Sequence, residues 1–371
     1  MTATAQHILI CFHDFSRGGT ERIALGMARY WLDAGRKVTI LCGTTEGGLY
    51  NTVDPRVRVV ALDPPVRRST FSRIKLGRRM GERIVELAPD LIFLPGNFHI
   101  FLNEALRAAD PRPAIVSKIS NPPLPHWLHP ALGRWVVKRF SRQIDGFAAM
   151  NSGLAAELKI LLPGREVATL FDPVYTNHEP VVGHVSSAAD RLNIVWAGRF
   201  EPQKDVALAL HTIKALSARH TAHLMLLGDG ALMAQTRQQI KSLGLDEVVT
   251  LAGHVPSIDP YLAQADALLI TSHYEGGPAV AVEALAHGVP VVSTDCSHFL
   301  RDIMTRPEAG QIVRSREPDA LAAALIAVTE SPPADRTPLA TLVAHLEPEA
   351  CAQAYLDWFE RIVSQRRLRR A

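Results

Sequence analysis

Two glutamates stand in an apolar stretch of the chain, "TSHYEGGPAVAVEALAHGVPVVSTD" at residues 271–295. Glu275 precedes a Gly-Gly-Pro turn, and Glu283 lies eight positions later in a run of alanine, valine and leucine. That run predicts a helix buried on most sides, where an unpaired carboxylate is costly. Glu283 should therefore have a polar partner, and a pair of ligand hydroxyls would serve.

The residues between the two glutamates suit a bound anion. Gly276 and Gly277 let the backbone come close to a ligand. Pro278 is acceptable in the first turn of a helix, whose free N–H groups attract anions. Glu275 is also explained without a ligand, as a carboxylate that stabilises the positive end of the helix dipole.

Two cations follow a predicted strand in "GRFEPQKD", residues 198–205. Arg199 offers a planar fork and Lys204 a mobile point charge, a combination that suits a diphosphate. The alternative is a solvated strand end with a surface pair between Glu201 and Lys204. Gly228, in "LLGDGAL", opens a further helix and suits either close ligand approach or a plain turn.

Short β-rich runs alternate with helical patterns along the chain. Their near-continuous apolar composition predicts parallel sheets covered by helices on both faces. The fold class is therefore α/β, with two doubly wound, Rossmann-like domains whose sheets face a ligand cleft. The predicted strands are 7–12, 37–42, 58–63, 90–95, 114–120, 146–151 and 167–172, then 192–198, 223–228, 248–253, 267–272, 290–295 and 310–314.

A stretch containing proline, glycine and serine separates the two series. We predict an N-terminal domain at 1–176, a linker at 177–191 and a C-terminal domain at 192–346. The last residues, 347–371, predict a helix that could pack back on the N-terminal domain.

Composition excludes several classes of protein. The 371 residues are 47% hydrophobic and 21% charged, and a formal net charge of +3 does not indicate nucleic-acid binding. The cysteines are far apart, which disfavours a disulfide framework or a zinc site. The first residues lack the basic segment of a signal peptide, and no run approaches a membrane span. We therefore expect a cytoplasmic protein.

Four segments together resemble the family 4 glycosyltransferases (glycosyl transferases group 1), which are retaining enzymes with the GT-B fold. They are "SRGGTERIALGMARYWLDAGRKVTIL" (16–41), "GRFEPQKD", "GDGAL" and "HYEGGPAVAVEALAHGVPVVSTD". The resemblance spans nearly the whole chain. It implies transfer of a sugar from a nucleotide-sugar donor, expected to be a UDP-sugar, to a saccharide or lipid-linked acceptor. The expected setting is synthesis of bacterial-type cell-surface polysaccharide or lipopolysaccharide.

The resemblance implies that the N-terminal domain at 1–176 binds the acceptor and that the C-terminal domain at 192–346 binds the nucleotide sugar. It also implies roles for individual residues. Arg199 and Lys204 match the pair that neutralises the donor diphosphate, and Glu283 matches the carboxylate that holds the ribose hydroxyls. Glu275 matches the glutamate that lies against the donor sugar, and the Gly-Gly-Pro backbone after it lines the sugar–phosphate junction. Gly228 is counted among the donor-binding residues.

In the N-terminal domain, Gly18 and Gly19 match a glycine loop that faces the donor phosphate and the acceptor, although a plain turn explains them as well. Family members often carry a histidine near the sugar after the fourth strand. Here His99 lies slightly beyond that place, and either a catalytic or a structural role fits it. Asp172 stands where the family commonly has asparagine, so contacts at the domain junction or acceptor recognition should differ.

No cofactor or metal is expected, because the chain has no D-x-D motif and the Arg/Lys pair would supply the charge. In the front-face mechanism usually discussed for this family, the leaving phosphate accepts the acceptor's proton and no separate base is needed. Two other functions remain compatible with the residues. One is a sugar-nucleotide epimerase of the same fold, and the other is a non-catalytic nucleotide-sugar-binding protein.

A basic segment, "VRRSTFSRIKLGRR" at residues 66–79, has no acidic residue and interleaves Phe71, Ile74 and Leu76 with its cations. This pattern predicts contact with anionic lipid on the inner face of the cytoplasmic membrane. A solvated basic helix is the alternative. Residues 125–143 add Trp127, Trp135 and further cations to the same domain.

Overall fold

The structure is a computed structural model, and it describes residues 5–16, 19–69, 72–121, 123–124, 129–174, 191–330 and 337–370. These residues confirm the predicted α/β class, since they form two parallel sheets, of seven and six strands, with helices between the strands. The chain groups into two compact units. One is Met1–Pro173 with Leu346–Ala371, and the other is Val174–His345.

Each predicted strand overlaps one that the structure contains. The strands are β1 (His7–Phe12), β2 (Lys37–Cys42), β3 (Arg58–Ala61), β4 (Leu91–Leu94), β5 (Ala114–Ile119), β6 (Gly146–Ala149), β7 (Glu166–Thr169), β8 (Leu192–Ala197), β9 (Ala222–Leu227), β10 (Val249–Gly253), β11 (Ala267–Ile270), β12 (Val291–Thr294) and β13 (Gly310–Val313).

Helices connect these strands. They are α1 (Gly19–Asp33), α2 (Ser72–Leu87), α3 (Asn103–Ala109), α4 (Pro130–Phe140), α5 (Ser152–Leu161), α6 (Val206–Ser217), α7 (Met233–Leu243), α8 (Asp259–Leu262), α9 (Ala279–Ala286), α10 (His298–Ile303), α11 (Pro318–Glu330), α12 (Thr337–Thr341) and α13 (Pro348–Leu368). Short 3-10 turns occur at Tyr50–Thr52, Asn97–Leu102, Pro202–Lys204, Pro307–Ala309 and Ala344–Leu346.

Strand order decides where loops meet. The first sheet runs β3-β2-β1-β4-β5-β6-β7 and the second runs β10-β9-β8-β11-β12-β13, with every pair parallel. In each sheet the order reverses beside the first strand, and ligands of doubly wound folds bind at such a point. The loops that follow β8 and β11 therefore lie side by side.

An aromatic cluster fixes α13 in the core of the first unit. Trp31 on α1 packs against Phe93 and Phe359 with ring centroids 5.8 Å and 5.2 Å away. Its indole N–H donates to the carbonyl oxygen of Ala352 at 3.0 Å. The three rings are fully buried, and such rings carry much of a core's apolar area. The last helix is thus part of the fold of this unit.

In the second unit, Trp196 on β8 is buried and its indole N–H donates to the hydroxyl of Thr271 at 3.0 Å. Phe200 packs edge-on against the same indole. These contacts join the loop after β8 to the loop after β11.

None of the helices formed by the described residues is long and apolar enough to cross a membrane. All four cysteines are buried free thiols.

Candidate functional site

The loops after β8 and β11 are joined by several hydrogen bonds. The Thr271 hydroxyl donates to the Lys204 carbonyl oxygen at 2.9 Å. The His273 amide donates to the Gln203 carbonyl oxygen at 2.8 Å, and the Gln203 side-chain amide donates to the Tyr274 carbonyl oxygen at 2.9 Å. The two loops that carry the predicted phosphate and sugar residues therefore form one structural element.

Lys204 and Glu275 contact each other directly within this element. The Lys204 Nζ lies 2.5 Å from Glu275 Oε1, and the Ser272 hydroxyl donates to the same oxygen at 2.7 Å. The Glu275 side chain is 9% exposed. A largely buried carboxylate is thus held between an ammonium group and a hydroxyl, a charge-assisted arrangement with a fixed geometry.

The alternative of a surface pair between Glu201 and Lys204 is wrong. The 3-10 turn at Pro202–Lys204 directs Lys204 towards the loop after β11, and Glu201 instead pairs with Arg199 at 2.7 Å. The Arg199 side chain is 67% exposed. An exposed pair of this kind contributes little to stability, so the guanidinium can exchange Glu201 for another anion at low cost.

Gly228 is required by close backbone packing. It has φ of +126°, and a Cβ atom there would lie 2.0 Å from the carbonyl oxygen of Gly198. Any side chain would push apart the loops after β8 and β9. The glycine therefore keeps the backbone that precedes Arg199 in place, whether or not a ligand also approaches it.

The Gly-Gly-Pro turn leads into α9 as predicted. Pro278 is the N-cap residue of this helix, and the Ser297 hydroxyl donates to the carbonyl oxygen of Gly276 at 3.1 Å. Gly277 follows in the same turn. The turn thus follows directly after Glu275 in sequence and leads into the first residues of α9.

Glu283 lies on α9 and is half-buried. Burial raises the pKa of its carboxyl group, and the negative charge of Asp259 raises that pKa further. His287 donates from Nδ1 to the Glu283 carbonyl oxygen at 3.0 Å, and its Nε2 lies 3.5 Å from Asp259. Within the part of the chain that the structure describes, the Glu283 carboxylate has no hydrogen bond or ion pair. The polar partner expected from the sequence is therefore not supplied by these residues.

In the first unit, Gly19 begins α1, whereas Gly18 lies outside the described residues. His99 follows β4 in the 3-10 turn Asn97–Leu102 and is 7% exposed. Burial, followed by the charges of Arg68 and His13, lowers the pKa of His99 to about 4. At neutral pH its imidazole is uncharged, and Nδ1 is buried without a hydrogen-bond partner among the described residues.

Sequence reasoning missed the polar residues beside β1, at the switch point where the strand order of the first sheet reverses. Asp14 and Glu21 are almost fully buried, and both pair with Arg68. Their position directly after β1 and in the first turn of α1 was the available signal. This pairing also balances the charge of Arg68, whose side chain stays 50% exposed, within the basic segment at 66–79.

The other residues of that basic segment agree with the prediction only in part. Leu76 is 1% exposed because α2 packs against α3, so its predicted surface role is wrong. Arg67 pairs with Glu46 at 2.5 Å, while Ile74 is 74% exposed as predicted. Phe71 and Trp127 lie outside the described residues.

Two further residues of the second unit, Arg316 and Asp205, were missed. Arg316, from the loop after β13, contacts both Asp205 and the loop after β11. No motif in the sequence marks Arg316.

No group of three or more histidine, cysteine, aspartate or glutamate side chains able to hold a metal ion occurs within the described ranges.

Two family models match the chain. The model for glycosyl transferases group 1 matches residues 191–331, and the model for a glycosyl transferase 4-like domain matches residues 18–170. The two matches lie in different halves of the chain and together span most of it.

Several curated proteins are similar in sequence. The lipopolysaccharide core biosynthesis glycosyltransferase LpsE of Rhizobium meliloti is 28% identical over 229 residues, which cover 59% of this chain and 65% of that protein. The lipopolysaccharide 1,6-galactosyltransferase of Escherichia coli is 25% identical over 189 residues, covering 49% of this chain and 52% of that protein. An uncharacterized glycosyltransferase of Methanocaldococcus jannaschii is 32% identical over 116 residues, 31% of this chain and 29% of that protein. The chain therefore matches less than two thirds of the length of these relatives.

Solved structures share the fold over almost the whole chain. The lipopolysaccharide outer core galactosyltransferase WaaB superposes with a TM-score of 0.77 at 16% identity, covering 94% of this chain and 98% of that one. HepE of Anabaena, solved in complex with UDP, gives a TM-score of 0.68 at 17% identity, covering 97% and 98%. These likenesses confirm the predicted GT-B fold.

Proposed function

The chain belongs to the glycosyl transferases group 1 family, and on that premise we propose that it transfers a sugar from a nucleotide-sugar donor to a saccharide or lipid-linked acceptor. The observation that carries this proposal is the contact between Lys204 and Glu275 at the switch point of the second sheet. A cation and a carboxylate in adjoining loops suit a ligand with a diphosphate next to a sugar.

A UDP-sugar is the preferred donor in this proposal. HepE of Anabaena, which shares the fold, has been solved with UDP and with UDP-glucose. The acceptor class follows the names of the relatives LpsE and 1,6-galactosyltransferase, which refer to lipopolysaccharide. We therefore propose a role in lipopolysaccharide or polysaccharide synthesis.

Arg199 and Lys204 would bind the donor diphosphate. Each already pairs with a carboxylate, so donor binding exchanges one anionic partner for another. For Arg199 this exchange costs little because its pair is exposed. For Lys204, the contact with Glu275 holds the ammonium in position before the donor arrives, which favours the reaction by preorganisation.

Glu283 would bind the ribose. An ionised carboxylate accepts hydrogen bonds from two hydroxyls at once. Its raised pKa reflects burial and the nearby Asp259, so ligand hydroxyls would stabilise a charge that the described residues leave without a hydrogen bond. The Gly276, Gly277 and Pro278 backbone would line the sugar–phosphate junction at the N-terminus of α9, where helix N–H groups favour anions.

The proposed chemistry is retaining and independent of metal. The two cations stabilise the leaving diphosphate, and its oxygen accepts the proton of the acceptor hydroxyl, so no separate base is required. Glu275 would lie against the donor sugar. His99 would take part as a neutral hydrogen-bonding group, since its lowered pKa keeps it uncharged at neutral pH. Gly18 and Gly19 would belong to the phosphate- and acceptor-facing loop.

The function is tested by incubating the protein with UDP-glucose, UDP-galactose, UDP-N-acetylglucosamine or GDP-mannose, each alone and with a lipopolysaccharide core oligosaccharide. We expect a glycosylated product with retained configuration and release of the nucleoside diphosphate, unchanged by EDTA. An epimerised donor without transfer would instead support an epimerase. Binding without any turnover across these donors and acceptors would support a nucleotide-sugar-binding protein.

We also propose that the first unit rests on anionic lipid, chiefly through α4. Leu132 and Trp135, three positions apart on this helix, are 49% and 60% exposed. Lys138 is exposed three positions further along α4, and Arg142 is exposed in the turn that follows the end of the helix at Phe140. Exposed apolar side chains among cations suit the headgroup region of an anionic membrane. The proposed location is the cytoplasmic face of the membrane, where a lipid-linked acceptor would be reached.

Trp135→Ala should reduce binding to anionic vesicles about tenfold, because one large apolar side chain no longer leaves water. The measurement is sedimentation with anionic and neutral vesicles at low and high salt, where salt should release the wild-type protein by screening. Ile160→Ala is the matched control, since Ile160 on α5 is 84% exposed and should not affect binding. Equal recovery of the wild-type protein in all four supernatants would contradict the membrane proposal.

A further inference from the structure

Arg316 joins the ends of three strands. Its Nη1 donates to the Ser272 carbonyl oxygen at 2.9 Å, and its Nη2 donates to the Thr271 carbonyl oxygen at 2.9 Å. The same Nη2 lies 2.5 Å from Asp205 Oδ2. Arg316 itself follows β13, whereas its partners follow β11 and β8. The planar guanidinium, with several donors in fixed directions, is suited to such a bridge.

Asp205, the acidic partner in this bridge, has an unusual backbone. Its φ of 46° and ψ of 60° place the backbone in the left-handed region, which residues other than glycine rarely adopt. Its carboxylate accepts a hydrogen bond from the Leu208 amide at 3.2 Å, which caps α6, and lies 3.4 Å from His273 Nε2. A strained residue persists where surrounding contacts hold it, and here the ion pair with Arg316 is one of them.

The bridge reaches both partners of the Lys204–Glu275 pair without touching either. Lys204 directly precedes Asp205, and its carbonyl oxygen accepts from Thr271. Glu275 accepts from the Ser272 hydroxyl, and the Ser272 carbonyl oxygen is held by Arg316. Arg316 therefore fixes the backbone on both sides of the pair.

We propose that Arg316, acting through Asp205, is a positioning residue that sets the geometry of the diphosphate-binding part of the site. This role rests on the proposed function, because it takes Lys204 as a phosphate ligand. Glu283 lies on α9 and makes no contact with this bridge among the described residues. Loss of the bridge should therefore weaken binding of the phosphates and spare binding of the nucleoside.

The test compares UDP with uridine in the variant Arg316→Gln. We expect affinity for UDP to fall about tenfold, because a displaced Lys204 would lose one charge-assisted contact with the phosphates. Affinity for uridine should change by less than about twofold. Asp205→Asn keeps the hydrogen-bond acceptor for Leu208 but removes the charge, so it should give the same pattern. Glu283→Gln should give a different pattern and weaken both ligands alike, because both contain the ribose. Affinities are measured by calorimetry for UDP and by NMR titration for uridine.

Amide hydrogen exchange provides a readout that needs no nucleotide. In Arg316→Gln the His273 amide, which donates to Gln203, should exchange faster, while the Gly198 amide, which donates to Leu227, stays protected. The matched control is Arg219→Gln, because the Arg219–Asp319 pair at 3.8 Å is exposed in the same unit. This control should leave exchange and both affinities unchanged.

The outcomes separate this inference from the proposed function. Equal loss of UDP and uridine binding in Arg316→Gln, or unchanged exchange at His273, would overturn the positioning role. A wild-type protein that binds neither UDP nor uridine would defeat the proposed donor. The exchange measurement would then still decide whether Arg316 holds the two loops together.

Discussion

Replacing Lys204 with alanine is expected to lower kcat/KM for sugar transfer by about two to three orders of magnitude, the usual cost of losing one preorganised group that stabilises transition-state charge. The Lys204 ammonium would otherwise neutralise the leaving diphosphate. Its removal also leaves Glu275, 9% exposed, with the Ser272 hydroxyl as its remaining side-chain partner among the described residues. Arg199→Ala should also lower kcat/KM. The Arg199 side chain, at 67% exposed, is more exposed than that of Lys204, at 18%.

Steady-state release of the nucleoside diphosphate measures this effect, and circular dichroism checks that the fold is intact. Lys214→Ala is the matched control, because Lys214 is an exposed lysine on α6 in the same unit. Because Lys204 and Glu275 contact each other, the effects of Lys204→Ala and Glu275→Gln should not add in the double variant. Full activity of Lys204→Ala would rule out the proposed diphosphate site.

The variant Asp172→Asn should lower the free energy of unfolding by about 3–5 kcal/mol, the cost of leaving a buried charge without its partner. Lys118, in β5, is 1% exposed, and its Nζ lies 2.5 Å from Asp172 Oδ1. The Asp172 side chain is 16% exposed, and burial, followed by the charge of Asp172, raises the pKa of the Cys351 thiol to about 12. The asparagine that the family commonly has would not balance this lysine.

Chemical denaturation provides the measurement. The double variant Lys118→Met with Asp172→Asn should recover most of the lost stability, because replacing both members of a buried pair avoids the unpaired charge. Asp319→Asn is the control, since its pair with Arg219 is exposed and should contribute little. A single Asp172→Asn variant as stable as the wild-type protein would show that the ion pair does not support the fold.

The sequence by itself determined the strands and their parallel arrangement, and it predicted the residues of the proposed donor site. Apolar runs such as 7–12 and 37–42 coincide with β1 and β2, because a strand buried on both faces needs apolar residues at every position. Loops at the carboxyl ends of β8 and β11 carry Arg199, Lys204 and Glu275, the place where ligands of doubly wound sheets bind, and Glu283 follows on α9. Only the ends of the strands were placed less well. The predicted run 267–272 stops at Ile270, because the next two carbonyl oxygens accept hydrogen bonds from Arg316 instead of from a strand.

Tertiary structure decided which partner each charged side chain has. Proximity in sequence favoured Glu201 for Lys204, but the neighbouring positions of β8 and β11 in the sheet bring Glu275 to it from 71 residues away. In the same way Asp14 and Glu21 pair with Arg68, and Asp172 pairs with Lys118. Short-range patterns in the sequence show which side chains are charged and which segments tend to be buried. The choice of partner depends on strand order, which is set by packing between residues far apart in the chain.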